Sequence, residues 1–384
     1  MGPPTSKVAL VTGANGISGF SVIEHLVRQS KEEWSKIVVT SRRPLPNAWI
    51  DPRVEFLAID FLDPVEDIIA KMKDICANVT HAFFTSYVHS DDFKLLREKN
   101  VPLFRNFLDA TISSCNKLQN VSLQTGGKYY GVHLGPVKVP LEESFPRYDD
   151  QGYNFYYNQE DYLKELQARD RTWSYSIIRP NAINGYAPNA NGMSEVLTII
   201  IYMLICRELG QPANFPGNEY FWNSIDDNSY APSVADLTVF AASHENCKNE
   251  AFNHVNGDIF VWKYIWQDFA AYFGIEVPEP NFVKARRADT LSNEIDMVEW
   301  AKDKRGVWET VVRKYGGKVE TFDCGTWGFF NWASGKSWLT ISSINKARQF
   351  GWQRNDRTFD TWIETYRSFE NAGALPSRAA LLRD

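Results

Sequence analysis

"KVALVTGANGISGF", residues 7–20, reads as a short β-rich run that breaks into a glycine turn and reopens as a helix. Gly13, Gly16 and Gly19 are spaced G-x-x-G-x-x-G. Such a turn lets a backbone approach a pyrophosphate at a helix N-terminus and packs the helix closely on its strand. Asn15 and Ile17 lie inside the turn and join the three glycines as candidate cofactor contacts. A glycine triplet alone is a weak signal. This one follows a first strand, opens a helix and begins a repeated β-α series.

Outward from the turn, "KIVVTSRR", "VEFLAIDFLD", "VTHAFFTSY", "LQNVSLQTGG" and "WSYSIIRPNAING" read as further strands. Helical spacing falls between them, at 19–30, 65–78, 100–115 and 158–170. Alternation with continuously apolar strands predicts an α/β fold, a Rossmann-type doubly wound parallel sheet. After about residue 184 the pattern gives way to loop-rich, aromatic-rich segments and helices. The expectation is therefore a dinucleotide-binding Rossmann domain over 1–184 and a smaller, mainly helical C-terminal substrate-binding region over 185–384. Later segments remain free to return to the sheet.

The bulk numbers narrow the class. The 384 residues are 44% apolar, enough for one large core or two coupled domains. A net charge of -6, with 41 Lys and Arg scattered among 47 Asp and Glu, shows no basic stripe and argues against nucleic acid. Five cysteines without a C-x-x-C pair suggest inert thiols in a reducing, cytoplasmic setting. The chain enters its first strand almost at once, which argues against a signal peptide. It formally fits M-G-x-x-x-S, although two prolines directly after Gly2 oppose myristoylation. The most apolar run, 196–206, has 11 residues where a membrane span needs about 20. It is expected to be a buried or pocket-covering helix, or to pair with a second copy in a homodimer. The six histidines show no metal-binding spacing, and no G-x-S-x-G elbow supports acyl hydrolysis.

The second strand bears on the choice of dinucleotide. An NAD site wants an acid at its end. Here Ser41, Arg42 and Arg43 stand there, and two guanidiniums suit a 2′-phosphate. The cofactor expected is NADP(H). Asp60, with Phe61 beside it, is positioned to meet the adenine. Thr85, Ser86 and Tyr87 end the fourth strand, along the expected ribose.

"SLQTGGKYYG", residues 122–131, puts Thr125 and Lys128 after the fifth strand, at the ligand edge. "NFYYNQED", residues 154–161, opens the next helix with Tyr156 and Tyr157. In the usual short-chain dehydrogenase a lysine follows the catalytic tyrosine by four. Position 160 is Glu160, so Y-x-x-x-K is absent.

Together, "VTGANGISG", "TSRRP", "LQTGGKYYG", "NFYYNQED" and "WSYSIIRP" resemble the progesterone 5β-reductase and iridoid synthase-like enzymes, the PRISE group of short-chain dehydrogenases. The likeness continues through "FPGNEYFW" and "SSINKARQFGW" and covers nearly the whole chain. It implies that the lysine has moved to T-G-x-K, with Lys128 and Tyr156 matching the catalytic positions. It implies hydride transfer from NADPH to the β-carbon of an enone in a small apolar molecule, Tyr156 and Lys128 stabilising the enolate oxygen. It also implies that the turn after the sixth strand, through Pro180 and Ile183, meets the nicotinamide amide. The chain departs from the family at Asn181-Ala182-Ile183, where R-P-G-N is usual, at Tyr87, where tryptophan is common, and in "WNSIDD". Carbonyl or imine 1,2-reduction, isomerisation or cyclisation with retained cofactor, and non-catalytic NADP sensing stay open at this point.

Overall fold

In the computed structural model, which describes residues 6–45, 49–90, 92–149, 151–283 and 290–383, strand β1 (Lys7–Val11) is buried on both faces. Val8 and Leu10 point into one apolar cluster, Ala9 and Val11 into another. A strand of this kind needs helices on both sides. Its partners are β2 (Trp34–Ser41), β3 (Val54–Ala58), β4 (His81–Phe84), β5 (Asn120–Gln124) and β6 (Ser174–Pro180). A seventh strand, β7 (Glu250–His254), pairs with β6. The order is β7-β6-β5-β4-β1-β2-β3, with every pairing parallel. The winding reverses between β1 and β4, the point where open α/β sheets bind ligands. Gly2 and the start of the M-G-x-x-x-S pattern lie outside the described residues.

One face is covered by α1 (Ile17–Arg28) and α6 (Ala231–Ser243), through Val22, Ile23, Leu26, Ala235 and Val239. The other is covered by α2 (Val65–Met72), α3 (Phe93–Ser114) and α4 (Phe155–Arg169), through Ile68, Met72, Phe104, Phe107 and Leu163. Helix α3 starts seven residues before its apolar periodicity does, because Asp92 caps it by accepting from the Lys94 and Leu95 amides. Both α6 and β7 come from beyond residue 184, so the later chain completes the sheet and its cover.

The second half builds its own core. Helix α5 (Glu195–Glu208) is surrounded by α7 (Trp262–Tyr272), α8 (Arg305–Tyr315), α9 (Trp327–Gly335) and α10 (Thr358–Asn371). Trp262, Trp266, Trp308 and Trp362 are fully buried there. Every α5 residue from Glu195 to Cys206 is buried, as expected of a helix apolar all round. This agrees with the expectation of a buried helix: the apolar run faces the chain's own core, and its buried residues offer no apolar surface to a second copy. No described helix is long and apolar enough to cross a membrane. The five cysteines are free, and four of them are buried.

Candidate active site

The glycine turn is built for close approach. Gly13 adopts φ +66°, and a Cβ there would sit 3.0 Å from the Thr85 carbonyl oxygen. A Cβ on Gly19 would lie 2.2 Å from the Gly13 carbonyl oxygen, so α1 rests directly on the turn. The start of α1 at Gly16 and Ile17 has no side-chain cap and no acid in its first turn. Backbone N–H groups at the positive end of a helix, with no capping side chain, fit a pyrophosphate. Asn15 clamps this turn to the end of β2, donating to Ser41 Oγ at 2.8 Å and to the Arg43 carbonyl at 3.2 Å. Arg42 is well exposed, and its Nη1 stands 3.9 Å from Asp60 Oδ2, so the ends of β2 and β3 form one polar corner. Phe61 is buried with its ring 5.4 Å from that of Phe107.

Thr85 donates its hydroxyl proton to the Thr12 carbonyl at 2.6 Å, tying the end of β4 to β1. Ser86 runs alongside Gly13. Tyr87 reaches out to a ring distance of 5.9 Å from Phe155. At the end of β5, Thr125 Oγ1 and Gln124 Oε1 are buried and lack a hydrogen-bond partner among the described residues. Two orphaned polar atoms at the carboxyl edge of the sheet fit a polar ligand group.

Lys128 lies on a single 3₁₀ turn, Gly127–Tyr130. Asn154 joins that turn to α4. Its Oδ1 accepts from the Tyr156 amide at 3.2 Å, and its Nδ2 donates to the Lys128 carbonyl at 2.8 Å. Sequence reading gave Asn154 no role, although an Asn directly before a helix is a recognisable cap signal. Tyr157 is a latch: its hydroxyl donates to the Tyr129 carbonyl at 2.6 Å and accepts from the Tyr148 amide at 2.7 Å. The Tyr156 hydroxyl lies 3.6 Å from where a Gly126 Cβ would be, two residues from Lys128. Burial, and then the neighbouring Tyr87 phenol, raise its pKa well above the ordinary value. Tyr156 therefore keeps its proton and is able to donate a hydrogen bond.

The Lys128 ammonium sits 5.9 Å from the Phe93 ring centroid and lines a cavity of about 290 Å³. His133, Tyr148, Tyr153 and Phe155 share its wall. Burial, assisted by the Lys128 charge, pushes His133 down to about 4, so its imidazole is neutral at physiological pH.

Glu160, where the usual lysine would be, is fully buried. Arg179 of β6 donates to its two oxygens at 2.9 and 3.0 Å, and stacks 3.4 Å from the Tyr129 ring centroid. A lysine at 160 would face this guanidinium. The motif is absent because that side of α4 is committed to an internal ion pair.

At the end of β6, the Pro180 carbonyl oxygen comes within 3.3 Å of a Gly126 Cβ position. Ala182 is held at φ +41°, which costs an alanine about 1–3 kcal/mol. Ile183 follows, nearly buried, paired in a short parallel ladder with Ser229. Asn181 donates to Asp227 Oδ1 at 2.8 Å and to the Thr340 carbonyl at 2.9 Å. No local pattern marks Asp227, which is 46 residues away from Asn181.

This arrangement, a doubly wound sheet with a glycine turn and a phenol at its carboxyl edge, is that of a Rossmann-type oxidoreductase. The PRISE-like Rossmann-fold domain family matches residues 9–361, and the chain belongs to that family. It is 42% identical over 375 residues to the short chain dehydrogenase gsfE of Penicillium aethiopicum, covering 96% of this chain and 99% of that one. It is 33% identical over 378 residues to a 3-oxo-Delta(4,5)-steroid 5-beta-reductase of Arabidopsis thaliana, covering 95% and 92%. Among solved structures, the Bordetella bronchiseptica enzyme WbmH in complex with NAD+ shares the fold, with a TM-score of 0.63 at 14% identity over 96% and 100% of the chains.

Proposed function

We propose that this enzyme is an NADPH-dependent reductase that delivers hydride to the β-carbon of an α,β-unsaturated carbonyl in a small apolar molecule. The observation that carries this reading is the Tyr156 hydroxyl, buried beside Gly126 on a helix that Asn154 ties to the Lys128 turn. When bound, the reduced nicotinamide supplies the hydride. As the β-carbon gains it, the double-bond electrons pass to the carbonyl oxygen. Tyr156 donates a hydrogen bond to that oxygen, and the bond strengthens as negative charge grows. Lys128 adds its positive charge from the cavity wall. The α-carbon takes its proton from solvent. A phenol that holds its proton suits this role better than that of a base, which would want a lowered pKa. The Arabidopsis relative is named for a 3-oxo-Delta(4,5)-steroid, a conjugated enone, which supports the class.

For the cofactor we assign Gly13, Asn15, Gly16, Ile17 and Gly19 to the pyrophosphate end, and Ser41, Arg42, Arg43, Asp60 and Phe61 to the adenosine end. Thr85, Ser86 and Tyr87 line the middle, and Thr125, Pro180 and Ile183 the nicotinamide end. NADP is favoured over NAD because Arg42 is exposed at the end of β2. Arg42→Ala is expected to weaken NADPH binding by about tenfold to a hundredfold, the worth of a charge-assisted contact to a dianion. NADH binding should change little. Equal losses for the two cofactors, measured by fluorescence titration, would refute the phosphate reading. We assign the far side of the substrate site to the 185–384 region, whose Gly192 packs against His89 so closely that a Cβ would be 3.0 Å from the ring.

The direct test is oxidation of NADPH carrying deuterium at the transferred position, against a panel of cyclic and acyclic enones. Deuterium at the product β-carbon is expected. Deuterium at the carbonyl carbon would replace this reading with direct carbonyl reduction.

A further inference from the structure

Residues 336–342 bond the chain just past the Lys128 turn and, through Asn181, reach the start of that turn. Trp338 Nε1 donates to the Val132 carbonyl at 2.9 Å, just past the turn. The second link runs through Asn181. Its side-chain oxygen faces the start of the turn, 3.1 Å from where a Gly127 Cβ would sit. Its Nδ2 donates to the Thr340 carbonyl at 2.9 Å and to Asp227 Oδ1 at 2.8 Å. Asp227 Oδ2 in turn accepts from the Ser342 amide at 2.6 Å. The Asn181 amide is also engaged, donating to Ser229 Oγ at 3.1 Å. Asn181 and Asp227 are both buried.

Asn181 thus stands between Gly127, which precedes Lys128, and Ala182, which holds a left-handed backbone before Ile183. A strained turn persists when its surroundings over-determine it, and here the bonds of Asn181 supply that constraint. We propose that Asn181, braced by Asp227 against residues 340–342, is a positioning residue that sets the Lys128 turn and the Ala182–Ile183 turn in register with each other. The proposal rests on the enone reductase reading and extends it.

The brace has a charge state. Both Asp227 oxygens accept from N–H donors, which matches the ionised carboxylate. Burial, and then the adjacent Asp226, push Asp227 up to about 7. Lys336 opposes that rise. Its ammonium is 3.9 Å from Asp226 Oδ2 and donates to Thr340 Oγ1 at 2.8 Å. Glu195 of α5, itself pushed up to about 8 by burial and then Asp226, faces Asp226 and Lys336. Asp227 is ionised above its pKa and neutral below it. As pH falls through about 7, protonation adds a hydrogen to a carboxyl whose oxygens already meet two donors, and the brace loosens.

The experiment compares wild type, Asn181→Gly and Asp227→Asn as full chains. It measures enone reduction, NADPH binding by fluorescence and melting temperature, with kcat followed across the neutral pH range. Both variants are expected to lose kcat by about tenfold to a hundredfold, as for a small misplacement of reacting groups. Their NADPH affinity should fall by clearly less than their kcat, since only the nicotinamide end of the cofactor meets the displaced turn. The wild-type kcat should fall as pH drops through about 7. Asp227→Asn should be low at every pH, without that step. If Asn181→Gly melts early, Asp227→Asn decides the matter. Wild-type kcat and pH dependence in Asp227→Asn would overturn the positioning role while leaving the reductase reading intact. A wild type that binds NADPH yet reduces no enone would overturn both.

Discussion

Tyr156→Phe should lower kcat for enone reduction by about 10²-fold or more, the usual result of removing one oxyanion donor. The substitution deletes one oxygen atom and keeps the ring that packs against Phe155 at a centroid distance of 4.5 Å. NADPH affinity and melting temperature should therefore stay near wild type. The loss should appear in kcat and kcat/KM together, because the hydrogen bond matters most when charge has moved onto the carbonyl oxygen. Lys128 would still supply positive charge, so activity should be reduced and not abolished. A phenylalanine variant with full kcat would remove Tyr156 from the mechanism and leave the lysine turn without its proposed partner.

The second large effect concerns stability. Glu160→Ala would leave Arg179 buried without its carboxylate, and breaking such a pair from one side costs about 3–5 kcal/mol. A fall of several degrees in melting temperature is expected. Arg179 also stacks on Tyr129, the residue after Lys128, so activity should drop beyond what the loss of folded protein explains. Replacing both partners, Glu160→Leu with Arg179→Met, should recover most of the stability, since apolar residues of similar volume need no compensation there. If the single variant melts like wild type, the pair does not brace this face of the sheet. If the double variant is worse than the single, Arg179 has a partner of more consequence than Glu160, such as the Tyr130 hydroxyl 3.3 Å away.

The proposed pair, Lys128 and Tyr156, shows why a motif scan and a structure can disagree. Four residues along a helix is a local relation, and by that measure this chain lacks its lysine. The ends of β5 and α4 meet through the sheet, and there Asn154 joins Lys128 to Tyr156. Asn154 was legible as a cap, since capping is decided within one helical turn. What it reaches on its other side was not. Thr85 is similar. Its place at the end of β4 could be read from the strand, while the commitment of its hydroxyl to Thr12 depends on β1 and β4 being neighbours.

The sequence by itself determined the alternation of strands and helices, the glycine turn at 13–19 and the basic corner at 41–43. Each is set by residues within a few positions of one another, through backbone freedom, side-chain period or charge. The tertiary structure alone decided that β7 would complete the sheet and which tryptophan-rich elements would surround the apolar helix α5. It also decided that position 160 would serve an arginine, and that Asn181 would find Asp227. These are pairings between distant segments. They depend on which buried groups are left needing a partner once the chain has closed, and no local pattern carries that information.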